Sequence, residues 1–305
     1  MKREFKRVAI AAAMALAVGG TAQAETTASI SSTIGYTQNF NSMGTSATSI
    51  PTTIGEWTAW SITTGADANT QWETSIPASQ VGGGTQITGV TSMTDTSIVN
   101  GTKSNTSVYN MADATVGSSN RALSTSPTGD DGIALQLSLT NTGTTSLTTL
   151  NISYNIKKYS DGVLQGPTSG LPNNEELPGY QLFYSVNGGA YTNVAAFNPV
   201  ASNVANPNSQ PVIPVGTPAA SGSNPLIDYT VTNVTGEITL SQAVAANQTL
   251  TFRWVDDNAV NLSPDQQLGL DDVSIAAVTP TPIPAAAWLL GSGLMGLFGL
   301  RRQKA

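Results

Sequence analysis

The stretch that decides the fold class reads GIALQLSLT and occupies residues 132–140. Its large apolar residues, from Ile133 to Leu139, stand at every second position, with Ala, Gln and Ser between them. Successive side chains of a β-strand point to opposite faces, so a period of two indicates one buried face and one polar face. The stretch is therefore predicted to be a half-buried strand.

The same period recurs through the second half of the chain. The alternating runs are LNISYNI at 150–156, YQLFYSV at 180–186 and LTFRWV at 250–255, and LGLDDVSI at 268–275 is predicted to be the last strand, with ambiguous alternation. Asn187-Gly188-Gly189 predicts a hairpin turn before a return strand at 191–197, because Asn and Gly accept the positive φ that tight hairpins need. Antiparallel strands with polar outer faces bury their inner faces against a second sheet. We predict an all-β, antiparallel β-sandwich of the jelly-roll type, with an up-and-down barrel as the alternative.

The composition excludes several kinds of chemistry. The 305 residues include no Cys and no His, and only 10% of them are charged. A chain without Cys forms no disulfide and no thiolate. A chain without His has neither a His-ligated metal site nor a Ser-His-Asp relay.

The first 24 residues have the pattern of a Sec-type signal peptide. A basic start (Lys2 to Arg7) precedes an apolar stretch over 8–18, and Ala22 and Ala24 form a small-x-small cleavage site. This apolar stretch is shorter than the roughly 20 residues that span a bilayer. We therefore expect passage through the Sec translocon, removal of 1–24 and a flanking signal helix that is not part of the fold.

The last 26 residues have a second three-part pattern. Pro282 and Pro284 open it, an apolar segment with Gly and Ser follows to Leu300, and Arg301 and Arg302 close it. As a helix, residues 283–300 would extend roughly 27 Å, close to a bilayer core of about 30 Å. A hydrophobic helix with a cytoplasmic basic end is therefore expected, and a permanent single-pass anchor is one interpretation.

Residues 281–302 also resemble a PEP-CTERM sorting signal, in particular its V-P-L-P-A variant. The chain reads TPIPA at 281–285, so Thr281 and Ile283 differ from the usual Val and Leu. The resemblance implies an exosortase-type enzyme of a Gram-negative, exopolysaccharide-producing bacterium. That enzyme would cut near Pro284, so the protein would be anchored in the inner membrane only transiently and then reach the cell surface or extracellular matrix.

Residues 25–279 form the predicted ectodomain. It has five bases against 18 acids, a net charge of −13, which argues against nucleic acid as a partner. Residues 25–126 are rich in Ser and Thr, a composition that also fits a glycosylated stalk, but their aromatic residues favour a folded segment. Residues 78–107 are expected to form a partly mobile insertion hinged at the Gly82-Gly83-Gly84 run.

The order of motifs in this body resembles an extracellular jelly-roll module of bacteria. The matching segments are QNFNSMG at 38–44, NRALS at 120–124, YSVNGG at 184–189, FRWVD at 252–256 and GLDDVSI at 269–275. The resemblance implies a fold shared with carbohydrate-binding modules. It also implies a calcium ion held by an acid of the last strand, here Asp271 or Asp272.

Calcium prefers oxygen ligands, and one short part of the sequence offers several of them: Asp256, Asp257, Asn258, Asp265, Asp271 and Asp272. We take Asp256, Asp271 and Asp272 as candidate ligands, with turn-capping acids as the alternative. If Val273 and Ile275 face the core, Asp271 shares that face and needs a cation or several donors.

Aromatic side chains offer a second kind of candidate site. A platform for sugar stacking would draw on Trp57, Trp60, Trp72, Tyr36 and Tyr159, although Trp57 and Trp60 are three apart and face opposite ways in a strand. The alternating run at 250–255 assigns Trp254 to the core. Arg253 is expected on the opposite face, in a salt bridge or a surface pair.

No catalytic residues are predicted. Adjacent acids such as Asp256 and Asp257 point to opposite faces of a strand, whereas glycoside hydrolysis needs two carboxylates about 5–9.5 Å apart on one site. The sequence therefore favours a non-enzymatic surface or matrix protein that contacts extracellular polysaccharide. A polysaccharide hydrolase and a purely structural coat or stalk protein are the alternatives.

Overall fold

The computed structural model describes ten segments of the chain. They are 27–45, 54–62, 76–93, 107–113, 118–127, 130–160, 177–203, 205–214, 227–258 and 265–278. The predicted signal peptide, the predicted sorting segment and Trp72 lie outside these residues.

Seven strands form sheet one, in the order β11-β10-β15-β8-β3-β4, with β1 beside the end of β8. Their bounds are Ala28–Ile30 (β1), Trp57–Ile62 (β3), Thr85–Ile87 (β4), Gly132–Asn141 (β8), Gln181–Val186 (β10), Thr192–Asn193 (β11) and Thr249–Asp257 (β15).

Seven further strands form sheet two, in the order β14-β9-β16-β7-β6-β5, with β2 beside the end of β16. Their bounds are Tyr36–Gln38 (β2), Val90–Met93 (β5), Ser107–Ala112 (β6), Arg121–Ser126 (β7), Leu147–Ser160 (β9), Ile227–Val244 (β14) and Gln267–Ala277 (β16). A small parallel pair, Val200–Ala201 (β12) and Val212–Ile213 (β13), lies between β10 and β14 in the chain. The helix α1 has one turn, Ala78–Val81.

The inner faces of the two sheets enclose one large hydrophobic core. At its centre the Trp254 ring of sheet one lies 5.3 Å from the Trp57 ring and meets the Tyr154 ring of sheet two edge-on at 5.7 Å. Edge-to-face contacts of this kind add about 0.5–1.5 kcal/mol to the gain from burial. The all-β, jelly-roll-like sandwich and the core position of Trp254 are therefore confirmed.

The predicted hairpin turn is confirmed, but the strand after it is shorter than predicted. Asn187 and Gly188 have φ of 52° and 72°, as a tight hairpin requires. Only Thr192–Asn193 pairs with β10, and the chain then enters a 3-10 turn that buries Phe197. Gly236 of β14 leaves room for this ring, since a Cβ there would lie 2.8 Å from Phe197 Cε1.

The part of the predicted insertion that the structure describes joins both sheets. Residues 85–87 pair with β3 in sheet one, and residues 90–93 pair with β6 in sheet two. Residues 94–106 lie outside the described segments.

Candidate functional site

A groove of about 430 Å³ opens on the outer face of sheet one, where α1 and the β10–β11 hairpin border strands β8 and β15. We call it the outer groove. Side chains of both strands and of the hairpin line it, together with the helix: Ser79, Gly82, Gln136, Ser185, Tyr191 and Thr251. Among the described residues no carboxylate lines it.

A second, smaller hydrophobic cluster fixes α1 against the sheet. Ile76 and Val81 pack there on Phe183 of β10 and Val255 of β15, all of them buried. The backbone N–H of Ile76 also donates to Gln181 Oε1 at 3.1 Å. The helix therefore forms a fixed wall of the outer groove.

Arg253 is buried beneath the wall of the groove. Its Nε donates to Gln136 Oε1 at 2.6 Å, and its terminal Nη1 donates to the carbonyl oxygens of Val81 and Gly83. Charge-assisted hydrogen bonds are the strongest a side chain makes, so Arg253 ties the α1 segment to β8 and β15. The face that the alternation predicts for Arg253 is correct, but the residue is buried, with only 3% of it exposed, rather than at the surface.

Two aromatic rings stack on the Arg253 guanidinium. The Trp60 and Tyr191 ring centroids lie 4.8 and 5.1 Å from Cζ. The Tyr191 hydroxyl also donates to Gln136 Oε1 at 3.3 Å. A half-buried tyrosine held by a cation and an amide is a rigid contact surface with an apolar ring and a polar edge.

The described members of the predicted aromatic platform do not share one surface, and Trp72 lies outside the described residues. Trp57 lies in the core and donates from Nε1 to the Tyr36 hydroxyl at 2.6 Å. Trp60 lies on the outer face of sheet one, and Tyr159 belongs to sheet two, where its ring contacts Tyr229 at 5.6 Å. Trp57 and Trp60 face opposite sides of β3, as their spacing predicts.

Asp256 lies between the sheets rather than on the surface. Its Oδ2 accepts a hydrogen bond from Thr125 Oγ1 at 2.5 Å, and its Oδ1 accepts one from Gln266 Nε2 at 3.3 Å. Its neighbour Asp257 points the other way and accepts from the Leu177 backbone N–H at 2.8 Å. Burial, together with the nearby Asp256 carboxylate, raises the pKa of Asp257 well above its usual range.

Asp271 belongs to sheet two and is buried against Lys157 of β9, with Nζ 2.6 Å from Oδ2. Burial raises the pKa of Asp271 to about 6, while Lys157 opposes this rise. The interpretation that Asp271 shares a face with Val273 and Ile275 is wrong, because a bulge between Asp271 and Ser274 shifts the register of β16 against β9. The cation that this carboxylate needs is Lys157.

Asp272 is the extra residue of that bulge, with φ of 48°. It is exposed, accepts a hydrogen bond from Asn155 Nδ2 at 2.9 Å, and lines a shallow polar depression of about 370 Å³ with Gln38 and Asn39.

Asp256 and Asp271 thus lie in different sheets. In the described part of the chain no group of three acidic side chains is placed to hold a metal ion. Calcium binding stays a prediction, which the melting temperature with calcium and with a chelator would test.

The candidate residues of the two ends, Ala22, Ala24, Pro282, Pro284, Arg301 and Arg302, lie outside the described segments. In the segments that are described, no helix is both long enough and apolar enough to cross a membrane.

No family model matches the chain, and no curated protein matches it either. Among solved structures, the chain is similar to the CBM22-1 xylan-binding domain of Xyn10C from Paenibacillus barcinonensis, at 13% sequence identity and a TM-score of 0.25. The match covers 58% of this chain and 83% of that domain. A likeness of this size does not transfer a ligand from one protein to the other.

Proposed function

We propose that this chain is an exported, non-enzymatic surface or matrix protein that contacts neutral polysaccharide through the outer groove. The Sec-type leader and the PEP-CTERM-like end support export, sorting by an exosortase-type enzyme and final placement outside a Gram-negative cell. The groove supports the contact with sugar. The proposal depends above all on one observation, that the Tyr191 side chain lines the groove and is held there by Arg253 and Gln136.

The groove offers the two kinds of contact that sugars need. A pyranose presents apolar C–H faces to aromatic rings and hydroxyl groups to polar side chains. Tyr191 supplies the ring, and Gln136, Ser185 and Thr251 supply amide and hydroxyl groups around it. Because Arg253 holds Tyr191 and Gln136 in place, little side-chain entropy is lost when a ligand binds.

The charge of the body favours a neutral polysaccharide over an acidic one. Residues 25–279 have five bases, and four of them, Arg121, Lys157, Lys158 and Arg253, are buried. A surface with so little positive charge offers few partners for carboxylate or sulfate groups.

The absence of described carboxylates from the groove supports a binding role over hydrolysis. Glycoside hydrolysis uses a pair of carboxylates on either side of the scissile bond. Asp256 and Asp257 do not form such a pair, because one lies between the sheets and the other on the outer face.

Affinity gel electrophoresis of the secreted protein tests the groove, with xylan, β-glucan and galactomannan as probes. We expect Tyr191→Ala to weaken retardation about tenfold, which corresponds to about 1.4 kcal/mol. The matched control is Tyr229→Ala, which removes a half-buried tyrosine from sheet two and should leave retardation unchanged. Equal retardation of both variants would mean that polysaccharide does not bind in the outer groove. If polysaccharide did not retard the wild type, the result would favour a structural coat protein.

Sorting has its own test, independent of the groove. In a host with an exosortase, deletion of 280–305 should release the body into the medium or change its surface display, while Tyr191→Ala should not. The intact mass of the mature protein gives both processing sites. Mature protein that still carries Arg301 and Arg302 would contradict the sorting proposal.

A further inference from the structure

Lys157 and Asp271 form a closely spaced pair of reactive groups on neighbouring strands. Lys157 of β9 lies opposite Gly269 of β16, so Asp271, two residues further along, is its diagonal neighbour on the same face. Nζ lies 2.6 Å from Oδ2, and the two side chains are 3% and 0% exposed.

This contact differs from an ordinary surface salt bridge. Within the described residues, neither Nζ nor Oδ2 has a hydrogen bond of standard geometry, although the two atoms touch. A buried ion pair must recover the desolvation of both ions through good hydrogen-bond geometry, and it is otherwise a costly arrangement. A neutral amide in the same place would bury no charge.

The second oxygen of Asp271 already has a donor. Its Oδ1 accepts the backbone N–H of Asp272 at 2.7 Å. Asp272 lies in the bulge between Asp271 and Ser274 and has a φ of 48°. Its backbone N–H therefore donates to the side chain of the residue directly before it in β16. A backbone N–H directed at a carboxyl oxygen is also placed to stabilise negative charge that develops on that oxygen.

We propose that Lys157 and Asp271 join in an intramolecular isopeptide bond that links β9 to β16. The reaction starts when the Lys157 ammonium transfers one proton to Oδ2, which makes both groups neutral. The Nζ lone pair then attacks Cγ, and the carbonyl electron pair moves onto Oδ1, beside the Asp272 N–H. A second proton passes from Nζ to Oδ2, the electron pair on Oδ1 re-forms the carbonyl, the Cγ–Oδ2 bond breaks, and Oδ2 leaves with the bonding pair as water. The product is an amide with one N–H.

The contact between Lys157 Nζ and the Asp271 carboxyl group favours formation of the amide. Two groups held in contact react as if at very high concentration, with effective molarities of about 10⁵–10⁸ M in well-oriented cases. The reaction needs no oxidant and no further reactant, because its only by-product is water. It would give a chain without Cys a covalent link between two strands, and it does not rest on the proposed function.

Gly269 shapes the surroundings of the pair. A Cβ at this position would lie 2.9 Å from Tyr159 Cε2 and 2.8 Å from Ser124 Oγ. The glycine therefore lets the Tyr159 ring close over β16 directly beside Lys157. Such a cover keeps bulk water, which would favour hydrolysis of the bond, away from the reacting atoms.

A chymotryptic peptide map of the full-length protein by mass spectrometry tests the proposal. We expect the peptide Asn155–Tyr159 to be joined to the peptide that carries Asp271, with a joint mass lower than their sum by one water. Lys157→Arg keeps the charge pair without a nucleophilic amine and should give both peptides unlinked. Asp271→Asn can link only with loss of ammonia, which gives a cross-linked product of the same mass as the wild type.

The wild-type map is by itself sufficient to overturn the proposal. Recovery of both peptides at their full masses from folded wild-type protein overturns the proposal, whether or not the variants fold. A cross-link that persists in Lys157→Arg would place the bond at Lys158 instead and would also overturn it.

Discussion

Arg253 connects α1 and the loop after it to sheet one beneath the outer groove. Its fork of donors reaches Gln136, Val81 and Gly83 from a buried position. A lysine has the same charge but no planar fork, so Arg253→Lys leaves at least one of these acceptors without its donor. We expect the free energy of unfolding to fall by about 1–3 kcal/mol, measured in urea.

The control for Arg253→Lys is Glu237→Gln, at an exposed position of β14. A surface substitution of this kind should change the free energy of unfolding by no more than about 0.5 kcal/mol. If Arg253→Lys were equally neutral, the carbonyl contacts would not hold α1 in place.

Asp257 gives the fold a pH dependence with a defined sign. An unfolded aspartate titrates near pH 3.9, whereas burial raises the pKa of Asp257 in the folded state. Between these two values the native state keeps a proton that the unfolded chain has lost, so stability falls as pH rises. Asp257→Asn keeps the acceptor for the Leu177 N–H and removes this slope. We expect the free energy of unfolding in urea to be higher for Asp257→Asn than for the wild type, by a difference that grows between about pH 4 and 8. The same pH dependence in both proteins would contradict this.

At the scale of elements, the loop between α1 and β4 is fitted closely to sheet one. Gly84 has φ of +115°, and a Cβ there would lie 2.2 Å from the Ser61 carbonyl oxygen. Gly84→Ala must therefore move the loop away from β3 and with it the Gly83 carbonyl that Arg253 binds. We expect a loss of about 1–3 kcal/mol in stability and weaker retardation by polysaccharide.

Gly89 provides the matched control, because a Cβ there would meet nothing within 4 Å. Gly89→Ala restricts the unfolded chain without strain in the folded one, so it should stabilise by about 0.4–1 kcal/mol or be neutral. Equal destabilisation by both substitutions would mean that the loop does not depend on its approach to Ser61.

The sequence predicts those elements whose side chains alternate without interruption. The period of two in β8, β9, β10 and β15 locates these strands and the core position of Trp254. In β16 the same rule fails for Asp271, because the bulge adds one residue and exchanges the faces after it. The sequence does contain a signal for that residue, because the buried apolar positions run Leu268, Leu270 and then Val273, Ile275, with the period of two broken by one residue at Asp271-Asp272.

The outer groove was not predicted, for a different physical reason. Its parts come from α1, β8, β10, β15 and the residues after the hairpin, which are distant in sequence. Gln136 and Thr251 are predicted as outward-facing polar residues, and that signal is correct. That α1 packs on the same face depends on Ile76 and Val81, whose short segment has no recognisable period.

At the scale of the whole molecule, positive charge is concentrated in the two ends of the chain. Residues 1–24 carry four bases and one acid, and residues 280–305 carry three bases and no acid. Within 25–279, the four bases that the structure describes are buried and contribute little to the surface potential. Each processing step should therefore make the protein more acidic as well as shorter.

This asymmetry makes the charge a measure of processing. From the sequence, the full chain has a net charge of −7, loss of 1–24 gives −10, and loss of 280–305 as well gives −13. Anion-exchange chromatography at low salt should separate the three forms in that order, because surface charges are least screened there. In a strain that lacks the sorting enzyme we expect the −10 form to accumulate in the membrane fraction, whereas the intact strain should export the −13 form. Export of the −10 form from the intact strain would mean that the basic tail stays on the mature protein, and the body would then reach the surface with its membrane segment still attached.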